Sequence, residues 1–576
     1  MPLGFRSFRR SLTRYDAAIA YAVLGIVGGL LSGIVVIAFE YAIEQLALLL
    51  GVGARADGFE ALSLEMRIIL PMTGALLLGL AFTLLRPEDR EVGIVHVISR
   101  LHGSYGMLPW RNAVVQFLGG VIALATGQSG GREGPGVHLG AAANSLVGQS
   151  LRLPNNSLRV LIACGSAGGI AAAFNTPLAG VIFAMEVVIS EYTVAGFMPV
   201  MLAAVSASVL SEAVGGGVEI LDLASVQLAG LHQIPVILAV GIACGLAAGL
   251  FIRFSALAAR SSAWPVVARF LLAGTVTAGL GFLVPETLGI GYDTLGAVLL
   301  GEAGTESLAT IAGAKILATA VAIGVGMPIG IIGPNLLIGA CVGGLVGSTA
   351  VGLFPAISPD VQIYATVGMA ATMGAVFAAP LAASLALVEL TQSTSVAMPG
   401  LLAIVAAHLI NLTVFRQRSA HRSVLRQQQR QVPDDPFSQL LHRTDVNTVL
   451  DSSVVVISDH VDRAVASTLA LQVPNWCLIR REGESLFLVR GQELVDWIEA
   501  EPRERTELDV TESTLRRWTL REAPEQATLH QTLDILRRHT VEAVCVYTSP
   551  RRSRRELRGI VTRDRIERFT LDRLNA

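Results

Sequence analysis

Glu133 sits within Gly131-Arg132-Glu133-Gly134-Pro135, directly before an apolar stretch of helical character. A helix that starts there aims its unpaired backbone N–H groups and the positive end of its dipole at whatever precedes it, and such an end attracts anions. The glycines let the backbone come close to a small ion, and amides bind one such as chloride without the full positive charge that would trap it. Gly330-Ile331-Ile332-Gly333-Pro334 repeats the arrangement, so that two opposed helix starts can form one anion site. A carboxylate at such a point competes with the anion. Ionised, Glu133 is a tethered substitute for it; protonated, it is free to swing away, which gives gating by pH or proton transfer. The plainer alternative is that Glu133 pairs with Arg132 and only caps its helix.

Other candidate groups are fewer. Glu186 and Glu389 are ionisable residues within apolar helices, a placement that marks function unless they serve as helix-end caps or interhelical hydrogen bonds. Lys315 lies in an apolar segment, where it can pair with a carboxylate or stabilise an anion. An intramembrane hydrolase would need a nucleophile beside a base, and neither Ser129 nor His138 has a partner at motif spacing. A divalent-metal pathway would need oxygen-rich acidic clusters, and carboxylates are scarce here. The five cysteines, Cys164, Cys244, Cys341, Cys477 and Cys545, show no ligand or disulfide spacing and read as small buried apolar residues. A net charge of −2 offers nothing to nucleic acid.

The elements that must position these residues lie in a bilayer. The 576 residues are 52% hydrophobic and 15% charged, with a mean hydropathy of +0.59, against about 25% charged for soluble domains. Arg6, Arg9, Arg10 and Arg14 precede a first apolar stretch from about residue 17 to 38, long enough to span. Between Arg159 and Arg253 there is no Lys or Arg, and the loop around Glu219 and Asp222 suits the outer side, whereas Arg416, Arg418, Arg422, Arg426 and Arg430 follow the last apolar segment. Both ends of the membrane region are therefore expected in the cytoplasm. Short segments starting at Gly131, Thr176, Gly330 and Ala379 are broken by Gly or Pro, the mark of discontinuous helices around a substrate. Phe174, Pro177, Leu178, Ala179 and Glu186 recur 203 positions later as Phe377, Pro380, Leu381, Ala382 and Glu389. Two related halves meeting at a midplane site follow from that repeat.

Beyond a polar linker the composition becomes that of a soluble α/β region. It repeats as well: the apolar run 473–479 parallels 541–547, and each is followed by a strand and a helix. The basic run at 551–555 reads as an exposed hairpin loop rather than a lipid-binding patch.

Gly-Arg-Glu-Gly-Pro at 131–135, Phe174-Asn175-Thr176-Pro177-Leu178-Ala179-Gly180 and Gly330-Ile331-Ile332-Gly333-Pro334 resemble, in order, the signatures of the CLC family of chloride channels and chloride/proton exchangers. The resemblance covers about 15–425, and the tail resembles the paired CBS domains of many members. It implies a homodimer with one anion pathway per subunit, Glu133 as the gating glutamate, and a pathway lined near Arg132, Gly134, Ile331 and Ile332. It implies no cofactor and no enzymatic step. Three positions depart from the family pattern. Val92, beside Gly93, stands where an anion-coordinating serine is usual, and His421 where an inner-gate tyrosine is usual. Val187 stands where exchangers commonly carry a proton-relaying glutamate, which favours a passive, gated chloride channel over a chloride/proton antiporter. An intact Gly-Arg-Glu-Gly-Pro argues against fluoride selectivity. In the tail, Thr562 and Asp564 match the strand-to-helix residues with which CBS domains hold an adenine nucleotide, while the first copy lacks both.

The expected architecture is thus an all-α polytopic membrane domain of CLC type, with two inverted halves and broken helices over residues 1–425. A linker (426–440) leads to an α/β tail of two CBS domains (441–500 and 501–576). The expected setting is a prokaryotic inner or plasma membrane.

Overall fold

The computed structural model describes residues 18–574 except 54–57, 105, 191, 193, 216–229, 355–360, 418, 428–439, 442–443, 463–464, 466–467, 470, 482–483, 503–506 and 549–555. The arginines at 6–14, Glu219 and Asp222, Arg418 and Arg430, most of the 426–440 linker and the 551–555 run lie outside the described residues. The chain divides into two compact units, a membrane unit spanning most of 15–432 and a tail unit holding 433–576.

Among the described residues, eight helices of the membrane unit are long and apolar enough to cross a bilayer by length and composition. The first half runs α1 (Ala18–Leu49), α2 (Leu64–Leu84), α3 (Gly93–Gly103), α4 (Trp110–Ala125), α5 (Glu133–Ser150), α6 (Asn155–Phe174), α7 (Pro177–Phe183) and α8 (Val194–Val214). The second runs α9 (Ile234–Ala259), α10 (Val266–Leu283), α11 (Tyr292–Leu299), α12 (Thr305–Gly324), α13 (Ile332–Leu353), α14 (Gln362–Phe377), α15 (Pro380–Thr391) and α16 (Ala397–Thr413), with α17 (Ala420–Gln427) after it. The contacts of one half recur in the other: α1 packs on α8 as α9 packs on α16, and α7 lies against α15 across the two halves. At Gly140 against Gly165, and at Gly339 against Gly368, backbones approach so closely that a Cβ has no room. This is how small residues let helices pack where lipid gives no hydrophobic drive.

The first helix is longer than the apolar stretch suggests, because Glu40 does not end it. That side chain is buried and paired with Arg132, 3.2 Å away, so the helix continues to Leu49. Both Pro-Leu-Ala helices begin after a residue in the left-handed region, Asn175 (φ 54°) and Ala378 (φ 54°), neither of them glycine. Such strain persists only where the surroundings fix it. Past α7 the chain continues as a π-helical turn, Ala184–Ile189, which carries Glu186 and Val187.

The tail unit builds one sheet from β1 (Val454–Ser458), β3 (Trp476–Arg481) and β4 (Glu484–Arg490), and another from β6 (Leu520–Pro524), β7 (Ala543–Tyr547) and β8 (Leu557–Thr562). In each, the first pair is parallel and the second antiparallel, followed by α18 (Gly491–Ala500) or α20 (Arg563–Leu574); α19 (Leu529–Arg538) leads into β7. The repeat read in the sequence is thus a repeat of topology. The two copies exchange short segments: Leu441, Val446 and Val449 pack with Leu533, Val544 and Val561 of the second copy. In return β5 (Glu507–Asp509) pairs with β2 (His460–Asp462) of the first.

Candidate functional site

Three loops interlock at the centre of the membrane unit. Gly131 and Gly330 exchange backbone hydrogen bonds of 2.8 and 2.7 Å. The Gly130 amide donates to Gly289 O and the Gly289 amide to Gly127 O. Gly134 lies so near Gly330 that a Cβ on it would stand 2.6 Å from the Gly330 Cα. Bulkier residues would separate the starts of α5 and α13; these glycines bring them together.

Glu133, the first residue of α5, is fully buried at that junction. One carboxylate oxygen accepts from the Gly333 amide at 3.3 Å, at the start of α13. The other accepts from the hydroxyl of Tyr292, the first residue of α11. Arg132 directs its guanidinium to Glu40 and over the Tyr292 ring, 5.6 Å from its centroid. The carboxylate therefore bridges elements of the second half and caps far more than its own helix. Ile331 and Ile332 are buried beside it. Tyr292 was not singled out from the sequence; the one signal was Gly291 before it, held at φ 84°.

Of the other candidates, Gly93 (φ 75°) starts α3 after Val92, and its amide donates to Gln116 Oε1 at 2.7 Å while Gln116 Nε2 donates to Pro328 O. Gln116 thus ties α3 to the loop before α13. His421 on α17 is buried rather than solvated, and its ring meets Phe377 at 5.4 Å. With Glu186, Val187, Ser190, His408 and Arg422 it lines a cavity of about 310 Å³. Glu186 and Glu389 are caps, each on the other half: Glu186 accepts from the Leu381 and Ala382 amides, and Glu389 from those of Leu178 and Ala179. Lys315, fully buried, donates to Thr287 O at 3.1 Å and Gly289 O at 3.0 Å, bracing the loop that leads to Tyr292.

Ser129 bonds Thr319 at 2.8 Å, and His138 bonds His96 at 2.8 Å, so neither forms a nucleophile with a base. Glu91 comes within 3.9 Å of His96. All five cysteines are buried and free. Among the described residues no group of three or more His, Cys, Asp or Glu side chains is placed to hold a metal ion. In the tail, Thr562 ends β8 and is buried, and Asp564 lies exposed in the first turn of α20.

Residues 74–412 match the family described as Voltage gated chloride channel. A putative chloride channel protein, ClcB-like, from Ralstonia nicotianae is 31% identical over 351 residues, covering 60% of this chain and 82% of that protein. The H(+)/Cl(-) exchange transporter ClcA of Vibrio cholerae is 28% identical over 448 residues, 73% of this chain and 89% of that protein. Among solved structures, a slow cyanobacterial Cl−/H+ antiporter superposes with a TM-score of 0.62 at 23% identity, over 71% of this chain and 97% of that one. A eukaryotic CLC transporter does so with a TM-score of 0.58 at 20% identity, over 94% and 97%. At such identities the structural likenesses speak for the fold.

Proposed function

We propose for this chain, which belongs to the voltage gated chloride channel family, exchange of chloride against protons across the membrane, with the Glu133 carboxylate as the shared gate. One observation carries the reading: the carboxylate occupies the junction of two helix starts, held by the Gly333 amide and the Tyr292 hydroxyl. Those donors suit a halide equally, so carboxylate and chloride compete for them. Protonation removes the competitor's charge, and that exchange of occupants couples the two ions. The anion then passes by Arg132, Gly134, Ile331 and Ile332 toward an inner mouth near Val92, Gly93 and His421.

Exchange is favoured over passive conduction by the relatives, which include proteins named as H(+)/Cl(-) exchange transporters that match 73% of this chain. Val187 removes a side-chain relay, but the cavity beside it has room for water, which brings protons from the inner side to that depth. Passive, gated conduction is the second reading; Val187 itself and the name of the Ralstonia relative favour it. The resemblance further supports a homodimer with one pathway per subunit, cytoplasmic termini in a bacterial plasma membrane, and a CBS-type tail that modulates transport. Thr562 and Asp564 are the residues proposed for an adenine nucleotide there.

Chloride efflux from proteoliposomes, with external pH recorded alongside, tests the reading. Uphill proton movement in fixed ratio to chloride is the expected result; chloride flow without opposed protons would replace exchange by the channel reading.

A further inference from the structure

We propose that the Tyr292 hydroxyl is a halide ligand of this pathway, the side-chain donor that takes the transported anion when the Glu133 carboxylate leaves. The assignment rests on the reading of Glu133 as a gate. Its first support is direct: Oη already donates to an anionic oxygen, Glu133 Oε1. A phenol has one proton to give, and here it is aimed at the place where anion and carboxylate compete.

The donor is also held in place. An edge contact with Phe174 at 6.0 Å and the Arg132 guanidinium over its face fix the ring. A Cβ on Gly333 would stand 3.0 Å from Oη, so the hydroxyl sits against the start of α13, beside the amide that bonds the other carboxylate oxygen. Behind the ring, Lys315 braces the Thr287 and Gly289 carbonyls, and Gly289 is tied in turn to Gly127 and Gly130. A donor held this firmly is available to an incoming ion with little ordering cost.

The repeat gives an independent reason. Tyr292 is the first residue of the third helix of its half, as Gly93 is of the other half. Beside Gly93 stands Val92, and at the inner gate His421, so neither position supplies a hydroxyl. Tyr292 supplies one from the symmetry-related place. Arg132 close by is paired with Glu40, which leaves the site without an uncompensated positive charge and keeps the halide releasable.

The experiment is chloride titration calorimetry on the full-length protein in detergent. Glu133→Ala vacates the site and is expected to tighten chloride binding. Adding Tyr292→Phe, which keeps the ring contacts, is expected to weaken binding about tenfold, the loss of one charge-assisted donor. A fluorinated tyrosine at 292, a stronger donor of nearly the same shape, is expected to tighten it in the same background. If Glu133→Ala leaves affinity unchanged, the gate reading and this assignment fall together. If Glu133→Ala tightens binding and both changes at 292 move it less than twofold, the gate stands and the Tyr292 assignment is overturned.

Discussion

Glu186 and Glu389 stand in one reciprocal relationship: each carboxylate accepts from two backbone amides at the start of the Pro-Leu-Ala helix of the other half. Two helix starts that would otherwise leave donors unpaired are thereby satisfied across the pseudo-symmetry, with a negative charge at each positive dipole end. The pairing locks α7 to α15.

Removing either carboxylate should loosen that lock. Glu389→Ala is expected to lower stability by about 1–3 kcal/mol, read as an earlier thermal unfolding transition in detergent. Glu186→Ala should cost a similar amount, and the double variant should cost less than the sum if the caps support one another.

Close approach at the central junction can be tested by one methyl group. In Gly134→Ala the new Cβ meets the Gly330 backbone at 2.6 Å, which cannot move aside. A loss of about 1–3 kcal/mol together with loss of chloride flux is expected. Gly313→Ala, where nothing lies within 4 Å, is the control and should hold or gain stability. Fluorescence size exclusion and efflux assays distinguish the two.

Lys315→Met keeps the bulk of the side chain and removes both donors to Thr287 O and Gly289 O. Buried carbonyls left without these donors should cost about 2 kcal/mol or more. Because the loop leads to Tyr292, chloride binding should weaken as well, which calorimetry would report.

In the tail, burial pushes the Asp445 carboxyl from 3.8 up to about 6, against two hydrogen bonds from Asn447 that favour its ionised form. The folded state holds this proton more tightly than the unfolded one. The contribution of Asp445 to the stability of the tail is therefore fully present below about pH 4, is lost as pH rises toward 6, and changes no further above it. Hydrogen exchange of the 444–449 segment, corrected for intrinsic rate, should accelerate over that window, and Asp445→Asn should flatten the change.

Much of this protein was legible in its sequence where signals are local. Gly-Pro helix starts at 131–135 and 330–334, the 203-residue repeat and the tail repeat all rest on neighbouring residues, and the helices and sheets follow them. Glu186 and Glu389 were recognised as ionisable residues in apolar helices, with capping among the alternatives; which amides they cap depends on how the halves meet. His421 is legible in the sequence only as the residue at the place of the usual inner-gate tyrosine, and its burial against Phe377 depends on the packing of α17.

Sequence alone therefore determined that this is a membrane protein of two related halves, with a carboxylate set among helix starts, because charge, periodicity and backbone-permissive residues act within a few positions of where they are written. Tertiary structure decided what that carboxylate touches. Tyr292 lies 159 residues from Glu133, and Lys315 reaches carbonyls 26 and 28 residues away. No pattern along the chain encodes a contact that exists only once three glycine-rich loops have closed on one another.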